Sequence, residues 1–341
     1  MLAGLLARRD GAAVAQRLLA TTGIAATVLG DPAERVGVGP YAELYNRLVS
    51  ELDDEAFGLF AAPMRLGSFE FLCRSVLSAA TLAEALDRAA RFLRLVLPDL
   101  GVAIEQAKGG PATLRLTLSP DSPLAVRAGD DPARVFAFEW LLRLLHALAC
   151  WLVGRGLALD AVAFPYPRPR HADDYALIYT EHSSFLAPAT SRDDPASRSL
   201  CASFSANLLD LPVRRDETAL NAFLKDAPGK IALLYRRDRE TVLRVRDVLR
   251  AALPELPTLA EVAHRLNLSE RTLHRRLEDE GSNFRTIRDA LRRDLALSRL
   301  SKTRLPLSAI AAELGYAEAS AFYRAVIGWT GMAPSEYRKR T

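Results

Sequence analysis

The chain has 341 residues, 50% of them apolar and 25% charged, which is ordinary for a globular protein and enough for two domains with separate cores. Its three cysteines, Cys73, Cys150 and Cys201, are odd in number, far apart and outside any Cys-x-x-Cys pair, so a disulfide frame and a zinc site are excluded and reduced thiols in a cytoplasmic protein are expected. The net charge of +4 divides unevenly: residues 230–341 hold 22 Lys and Arg against 14 Asp and Glu, the remainder 23 against 27, a balance that suits a DNA reader attached to a module of another kind.

Helical spacing of apolar residues predicts helices over 11–21, 41–51, 80–95 and 131–154, with Thr81 as a cap for the third. A leader peptide is not expected, because Leu2 to Leu6 is short and is followed by Arg8-Arg9-Asp10. Gly37-Val-Gly-Pro-Tyr-Ala42 has the look of a dinucleotide loop. No strand precedes it, however, and Pro40 reads as the first residue of a helix. The runs 101–107 and 112–118 flank Lys108-Gly109-Gly110 and predict a β-hairpin. Val135 to Val153 is the most apolar stretch, but Glu139, Arg143 and His146 within it mark a buried globular helix and not a membrane span. A third strand is expected over 159–164, ended by Pro165, Pro167 and Pro169, and a weak one near 199–204. These elements make an α+β domain with a small sheet, without the many evenly spaced strands of a sugar-binding barrel.

Several residues invite chemistry and decline it. His171, Asp173, Asp174, Glu181 and His182 are metal-ligand types, but the histidines lack the i,i+4 helical spacing of a zinc enzyme, so a polar surface is the simpler reading. Cys150 beside Trp151 is read as a core thiol and not an oxidant sensor. Trp140, His146 and Trp151 suit an aromatic pocket wall but equally suit core packing, which is preferred. No Gly-x-Ser-x-Gly elbow or phosphate-binding Gly-Lys-Ser/Thr loop occurs. No catalytic residue, metal or cofactor is assigned, and no residue is assigned to an effector pocket.

Three pieces of the N-terminal region carry a resemblance: Phe57-Gly-Leu-Phe60, Gly67-Ser-Phe-Glu-Phe-Leu72 followed by Leu82-Ala-Glu-Ala-Leu86, and Leu208-Leu-Asp-Leu-Pro-Val213. Over roughly 15–215 the chain resembles the effector-binding N-terminal domain of one subgroup of AraC-type regulators. The resemblance implies a ligand-sensing, dimerising module; the arabinose in that domain's label is a matter of naming. Beyond it, Arg239 to Leu253 has helical spacing at Val242, Val245, Val248 and Leu249 and opens the next domain.

The C-terminal third repeats itself. Val262, Ala263 and Leu266 match Ile310, Ala311 and Leu314 at an offset of 48, and Leu273, Arg275 and Leu277 match Phe322, Arg324 and Val326 at 49. Each copy reads as a helix-turn-helix. A small residue, Ala263 or Ala311, sits where the second helix crosses the first. Asn267 or Gly315 tolerates a left-handed turn, and Ser269 caps the first copy's second helix. With Leu273 and Leu277 facing inward, Arg271 and Arg275 point outward, with Thr272 and Arg276 on the flank. With Phe322 and Val326 inward, Ser320 and Arg324 point outward. Exposed arginine pairs on a short helix suit guanine edges or phosphates. A solvated helix face is the plain alternative, which the duplication disfavours. Phe284, Ile287, Leu291 and Leu295 predict a long amphipathic helix between the copies, and Trp329 to Arg340 predicts a stop at Gly331 and a last helix from Pro334.

Ser269-Glu-Arg-Thr-Leu-His-Arg-Arg-Leu277, Ile310-Ala-Ala-Glu-Leu-Gly-Tyr316, Phe322-Tyr-Arg-Ala325 and Trp329-Thr-Gly-Met-Ala-Pro-Ser-Glu-Tyr-Arg338 resemble, in order and spacing, the DNA-binding domain of AraC/XylS-type regulators. The resemblance implies seven helices, two of them recognition helices. It also implies that DNA contacts come from Arg271, Thr272, His274, Arg275, Arg276, Ser320, Ala321, Tyr323 and Arg324. One departure stands out: Val326-Ile327-Gly328 replaces the aromatic and two basic residues usual before Trp-Thr-Gly, which should weaken phosphate contact at the second copy.

The expected architecture is an α+β sensor domain over 1–228 and an all-α domain over 229–341 carrying two helix-turn-helix motifs joined by a long linker helix. The expected partners are double-stranded DNA, a small-molecule effector, a second copy in a homodimer and RNA polymerase, with no membrane. The alternatives are an enzyme-like N-terminal domain fused to a DNA-binding module and a DNA-binding protein that needs no ligand.

Overall fold

The computed structural model describes residues 1–7, 9–29, 36–106, 109–127, 129–187, 194–225, 240–280, 282–316, 318–330 and 332–340. The chain forms two compact units, Met1–Asp238 and Arg239–Thr341. The expected boundary at 228/229 lies outside the described residues.

Unit 1 is built on helix α5 (Pro132–Val153), following α1 (Gly11–Thr21), α2 (Val38–Leu52), α3 (Ser68–Leu77) and α4 (Leu82–Val96). Asp131 starts α5 by accepting from the amides of Ala133 and Arg134, and Gly154 ends it in the left-handed region at φ 74°. It is buried on all sides but one stripe, Phe136, Glu139, Arg143 and His146, which is half-buried. Among the described residues it is the one helix long and apolar enough to cross a membrane, but 78% of its most apolar stretch is inside the unit. Trp140 and Trp151 are packed in the core: Trp140 donates to the Tyr45 hydroxyl at 3.0 Å, and Trp151 stacks on Phe223.

A five-stranded sheet, ordered β1-β2-β5-β3-β4, completes this unit. Strands β1 (Leu100–Gln106) and β2 (Ala112–Leu118) form the expected antiparallel hairpin, with Leu100 opposite Leu118. The weak strand near 199–204 is β5 (Ser199–Phe204), which sits centrally between β2 and β3 (Ala161–Phe164). Alternation explains its place. Leu200, Ala202 and Phe204 are buried with Leu114, Leu116 and Leu118, while Thr117 and Ser199 meet on the other face at 3.0 Å.

The structure departs from the sequence reading at four places. Leu159 and Asp160 precede β3 rather than belonging to it. Pro40 is not the first residue of α2, which starts at Val38 after Gly37. Helices α3 and α6 (Glu217–Leu224) and strand β4 (Ser183–Phe185) were not foreseen. The histidines considered as metal ligands part company, His171 bonding Glu139 at 2.6 Å instead of lying on a plain polar surface. Among the described residues no group of three or more His, Cys, Asp and Glu is placed to hold a metal.

Unit 2 contains seven helices among its described residues: α7 (Glu240–Ala251), α8 (Leu259–Arg265), α9 (Glu270–Asp279), α10 (Phe284–Lys302), α11 (Leu307–Glu313), α12 (Ala319–Thr330) and α13 (Pro334–Arg340). Val242, Val245 and Leu249 are buried along α7, and Ile287, Leu291, Ala296 and Leu300 along α10. The stop expected at Gly331 lies outside the described residues. Gly328 lies within α12, which continues to Thr330.

Both turns use the backbone as expected: Asn267 has φ 55° and Gly315 φ 71°. Gly315 is also crowded, since a Cβ there would stand 2.2 Å from the Pro254 carbonyl oxygen. Gly315→Ala should therefore lower the stability of unit 2 by about 2 kcal/mol or more, combining a left-handed alanine with a backbone clash. Asn267→Gly, where a β-carbon is not required, should stay within about 0.5 kcal/mol of the parent. Urea unfolding of the two variants checks both.

Candidate nucleic-acid interface

The pairs α8–α9 and α11–α12 repeat one geometry. In the first, the Leu268 amide donates to the Ala263 carbonyl at 2.9 Å and that of Asn267 to His264 at 3.0 Å. In the second, Tyr316 donates to Ala311 and Gly315 to Ala312, both at 3.0 Å. Both turns thus close the same two carbonyls through a left-handed residue. The contact residues fulfil the same duty: Ala263 and Ala311 are 1% and 2% exposed, and Leu273, Leu277, Phe322 and Val326 no more than 1%.

That burial fixes what the second helix of each pair turns outward. On α9, Arg271, His274, Arg275 and Arg276 are exposed, and Ser269 accepts from the Thr272 amide as the N-cap. Thr272 is half-buried, with its hydroxyl 2.8 Å from that of Ser269, so its side chain is partly committed to the cap. His274 Nδ1 lies 3.3 Å from Glu278 one turn on. On α12, Ser320, Tyr323 and Arg324 are exposed while Ala321 is half-buried. Two guanidinium groups with a third on the flank make α9 the surface richer in arginine, with Glu270 and Glu278 also exposed on it; α12 offers one arginine, with a hydroxyl and a phenol beside it. The exposed residues that follow Val326 are Ile327 and Gly328, which bring no charge.

The α11–α12 pair is tied to α10, and α9 to α7, by polar contacts that nothing in the spacing of the sequence marks. Arg292 donates from Nε to the Leu314 carbonyl at 3.1 Å and from a terminal nitrogen to Gly315 at 2.9 Å. Its guanidinium carbon also sits 4.7 Å from the centre of the Tyr316 ring. Burial pushes the Tyr316 phenol up, against the pull of that guanidinium. Arg246 of α7 pairs with Asp294 of α10, and Arg299 of α10 meets Glu313 of α11 at 3.0 Å. Glu280, just after α9, accepts from the amides of Thr241 and Val242, both at 2.9 Å, at the start of α7. The signals available were an arginine 22 residues before its turn and a glutamate 39 residues after its amides, and neither forms a local motif.

Comparison with known proteins gives a consistent picture. Residues 13–193 match the family model described as the arabinose-binding domain of AraC transcription regulator, and residues 262–340 match a helix-turn-helix domain. The chain is 31% identical over 317 residues to the ornithine utilization regulator of Pseudomonas aeruginosa, covering 92% of this chain and 87% of that one. It is 27% identical over 334 residues to an uncharacterized HTH-type transcriptional regulator of Mycobacterium tuberculosis, covering 95% and 90%. The HTH-type transcriptional regulator VirS of the same organism is 41% identical over 96 residues, 28% of each chain.

Arg292→Met should keep the helix but release the α11–α12 turn, at a cost of about 1–3 kcal/mol for charge-assisted bonds to two carbonyls. Hydrogen exchange would read this as lost protection in 307–330 with α8 and α9 unchanged.

Proposed function

The chain belongs to the AraC family of transcription regulators, DNA-binding proteins with an effector-binding N-terminal domain, and from that premise we propose how its helices read DNA. The domains divide at 228/229. The pairs α8–α9 and α11–α12 are two helix-turn-helix motifs, α9 and α12 are their recognition helices, and α10 is the linker. The 19-residue α10 is about 28 Å long, comparable with the ~34 Å between successive major grooves on one face of a duplex. Arg271, Arg275 and Arg324 take guanine edges or phosphates. His274, Arg276, Ser320 and Tyr323 line the same surface, with Thr272 and Ala321 at its edge. The observation that carries this reading is the repeated turn with an outward arginine at the same place, Arg275 and Arg324, in both pairs.

The effector acts by binding one arrangement of the N-terminal unit more tightly than another, because only differential affinity shifts an equilibrium. The protein works as a cytoplasmic homodimer that influences RNA polymerase at a promoter and has no enzymatic step. The relative from Pseudomonas aeruginosa is named for ornithine utilization, which places cationic amino acids in the first panel of effectors to try.

Selection from random duplexes, followed by anisotropy titrations of full-length variants, tests the reading. Arg275→Ala should weaken binding by about 1–3 kcal/mol and relax preference at one base pair. Weaker binding with unchanged preference would make Arg275 a phosphate contact only. Arg324→Ala should cost less than Arg275→Ala, because α12 holds fewer cations. Gly328→Lys should strengthen binding and steepen the salt dependence by about one unit of slope.

A further inference from the structure

Unit 1 gathers ionisable side chains around one turn of α5, far in sequence from the DNA-reading helices. Glu139 and Arg143 lie four residues apart on that helix. The Glu139 side chain is 13% exposed, and its Oε1 accepts from His171 Nε2 at 2.6 Å and from the Tyr175 hydroxyl. The Tyr175 hydroxyl also lies 3.0 Å from that of Tyr166. Tyr179 donates to the Glu139 backbone carbonyl at 3.4 Å and hydrogen-bonds Arg143. Arg143 Nε is buried without a hydrogen-bond partner among the described residues.

A packed core does not need this arrangement. Withdrawing an ion from water costs several kcal/mol, and apolar residues of similar volume usually do as well or better. Glu139 has spent an oxygen on His171 and Tyr175, so Arg143 is left with a phenol and an unsatisfied donor. Burial works against the Glu139 carboxylate, but the His171 hydrogen bond and the Arg143 charge outweigh it and hold the group below its usual range. The same hydrogen bond raises His171. Both signs of charge are therefore present side by side. Phe164 closes the cluster, its ring 4.7 Å from Tyr175 and 5.4 Å from Phe185, with which it stacks. Charged groups fixed beside an aromatic wall are the usual make-up of a small-molecule site.

We propose that this cluster is the effector site of unit 1, and that it takes a small monocarboxylate carrying an amino or hydroxyl group. The planar Arg143 guanidinium receives the carboxylate, and the ligand's donor turns to Glu139 and the tyrosine hydroxyls. Glu139, one turn away, opposes a doubly charged phosphate. The assignment rests on the reading that unit 1 senses an effector.

The test is thermal melting of the full-length protein with L-ornithine, L-serine, 3-hydroxybutyrate and 4-hydroxybenzoate, each beside its amide, and with inorganic phosphate. At least one carboxylate should raise the midpoint in a concentration-dependent way while its amide does not. Arg143→Gln should weaken that effect about tenfold or more, equivalent to about 1.4 kcal/mol. If that variant does not melt cooperatively, Glu139→Gln and Tyr175→Phe read the same site and should alter the ranking of the compounds. An undiminished shift in all three variants would leave effector sensing standing and overturn the site. A shift with phosphate alone, or with no carboxylate while the same preparation still binds its selected duplex, would overturn the ligand class without touching the DNA reading.

Discussion

Everything the C-terminal unit presents to its surroundings is referred to one helix. Arg292 projects from the middle of α10 and holds the carbonyls of Leu314 and Gly315, the groups that a left-handed turn leaves facing outward. Two residues on, Asp294 binds Arg246 of α7. Neighbouring side chains on one rod thus fasten one helix pair directly and bind the helix that packs against the other. The rod's apolar residues continue the task, with Ala296 and Leu300 in one core with Ile310, Leu314, Phe322 and Val326. A helix with few polar ties would let the pairs rock. This one holds the α11–α12 pair directly, and the other pair by way of α7, through charge-assisted bonds whose donors and acceptors are partly withdrawn from solvent.

The N-terminal unit is organised on a different rule. Its sheet is one-sided, with leucines against the helices and a row of Thr, Ser, Arg and Cys on the far face. On that far face Arg115 donates to Cys201 at 2.9 Å and pairs with Glu105 at 2.8 Å. The apolar side meets α5, whose polar residues Glu139, Arg143 and His146 share one narrow, half-buried stripe. Charges on such a helix have nowhere to go except into contact with other polar groups. That is why Glu139 recruits His171 and Tyr175, and why a terminal nitrogen of Arg134 donates to the carbonyls of Leu124 and Ala125.

Local chemistry made much of this readable in advance. The left-handed turns follow from Asn267 and Gly315, the caps from Thr81 and Ser269, and the inward and outward faces of α9 and α12 from a 3.6-residue period. What stayed hidden is non-local or short. Strand β4 has three residues and no alternation to show, and it is recruited by parallel pairing with β3. Helix α3 mixes Phe, Cys and Ser at positions where propensity decides little, and its start is fixed from a distance: Glu55 accepts from the Gly67 and Phe69 amides. The centrality of β5 came from its partners. The cluster around Glu139 was visible only as charges that ruled out a membrane span, because the residues that complete it lie more than twenty positions away.

The carboxylate of Glu280 has a mechanical meaning. It grips the first amides of α7, at the point where the polypeptide arrives from the preceding unit, and it is itself anchored at the end of the arginine-bearing α9. The first turn of α7 is therefore held by a pair of hydrogen bonds next to the surface that carries Arg271 and Arg275. The start of α7 and the helix that bears Arg271 and Arg275 share one fastening, so fraying of that first turn reaches α9 through a single carboxylate.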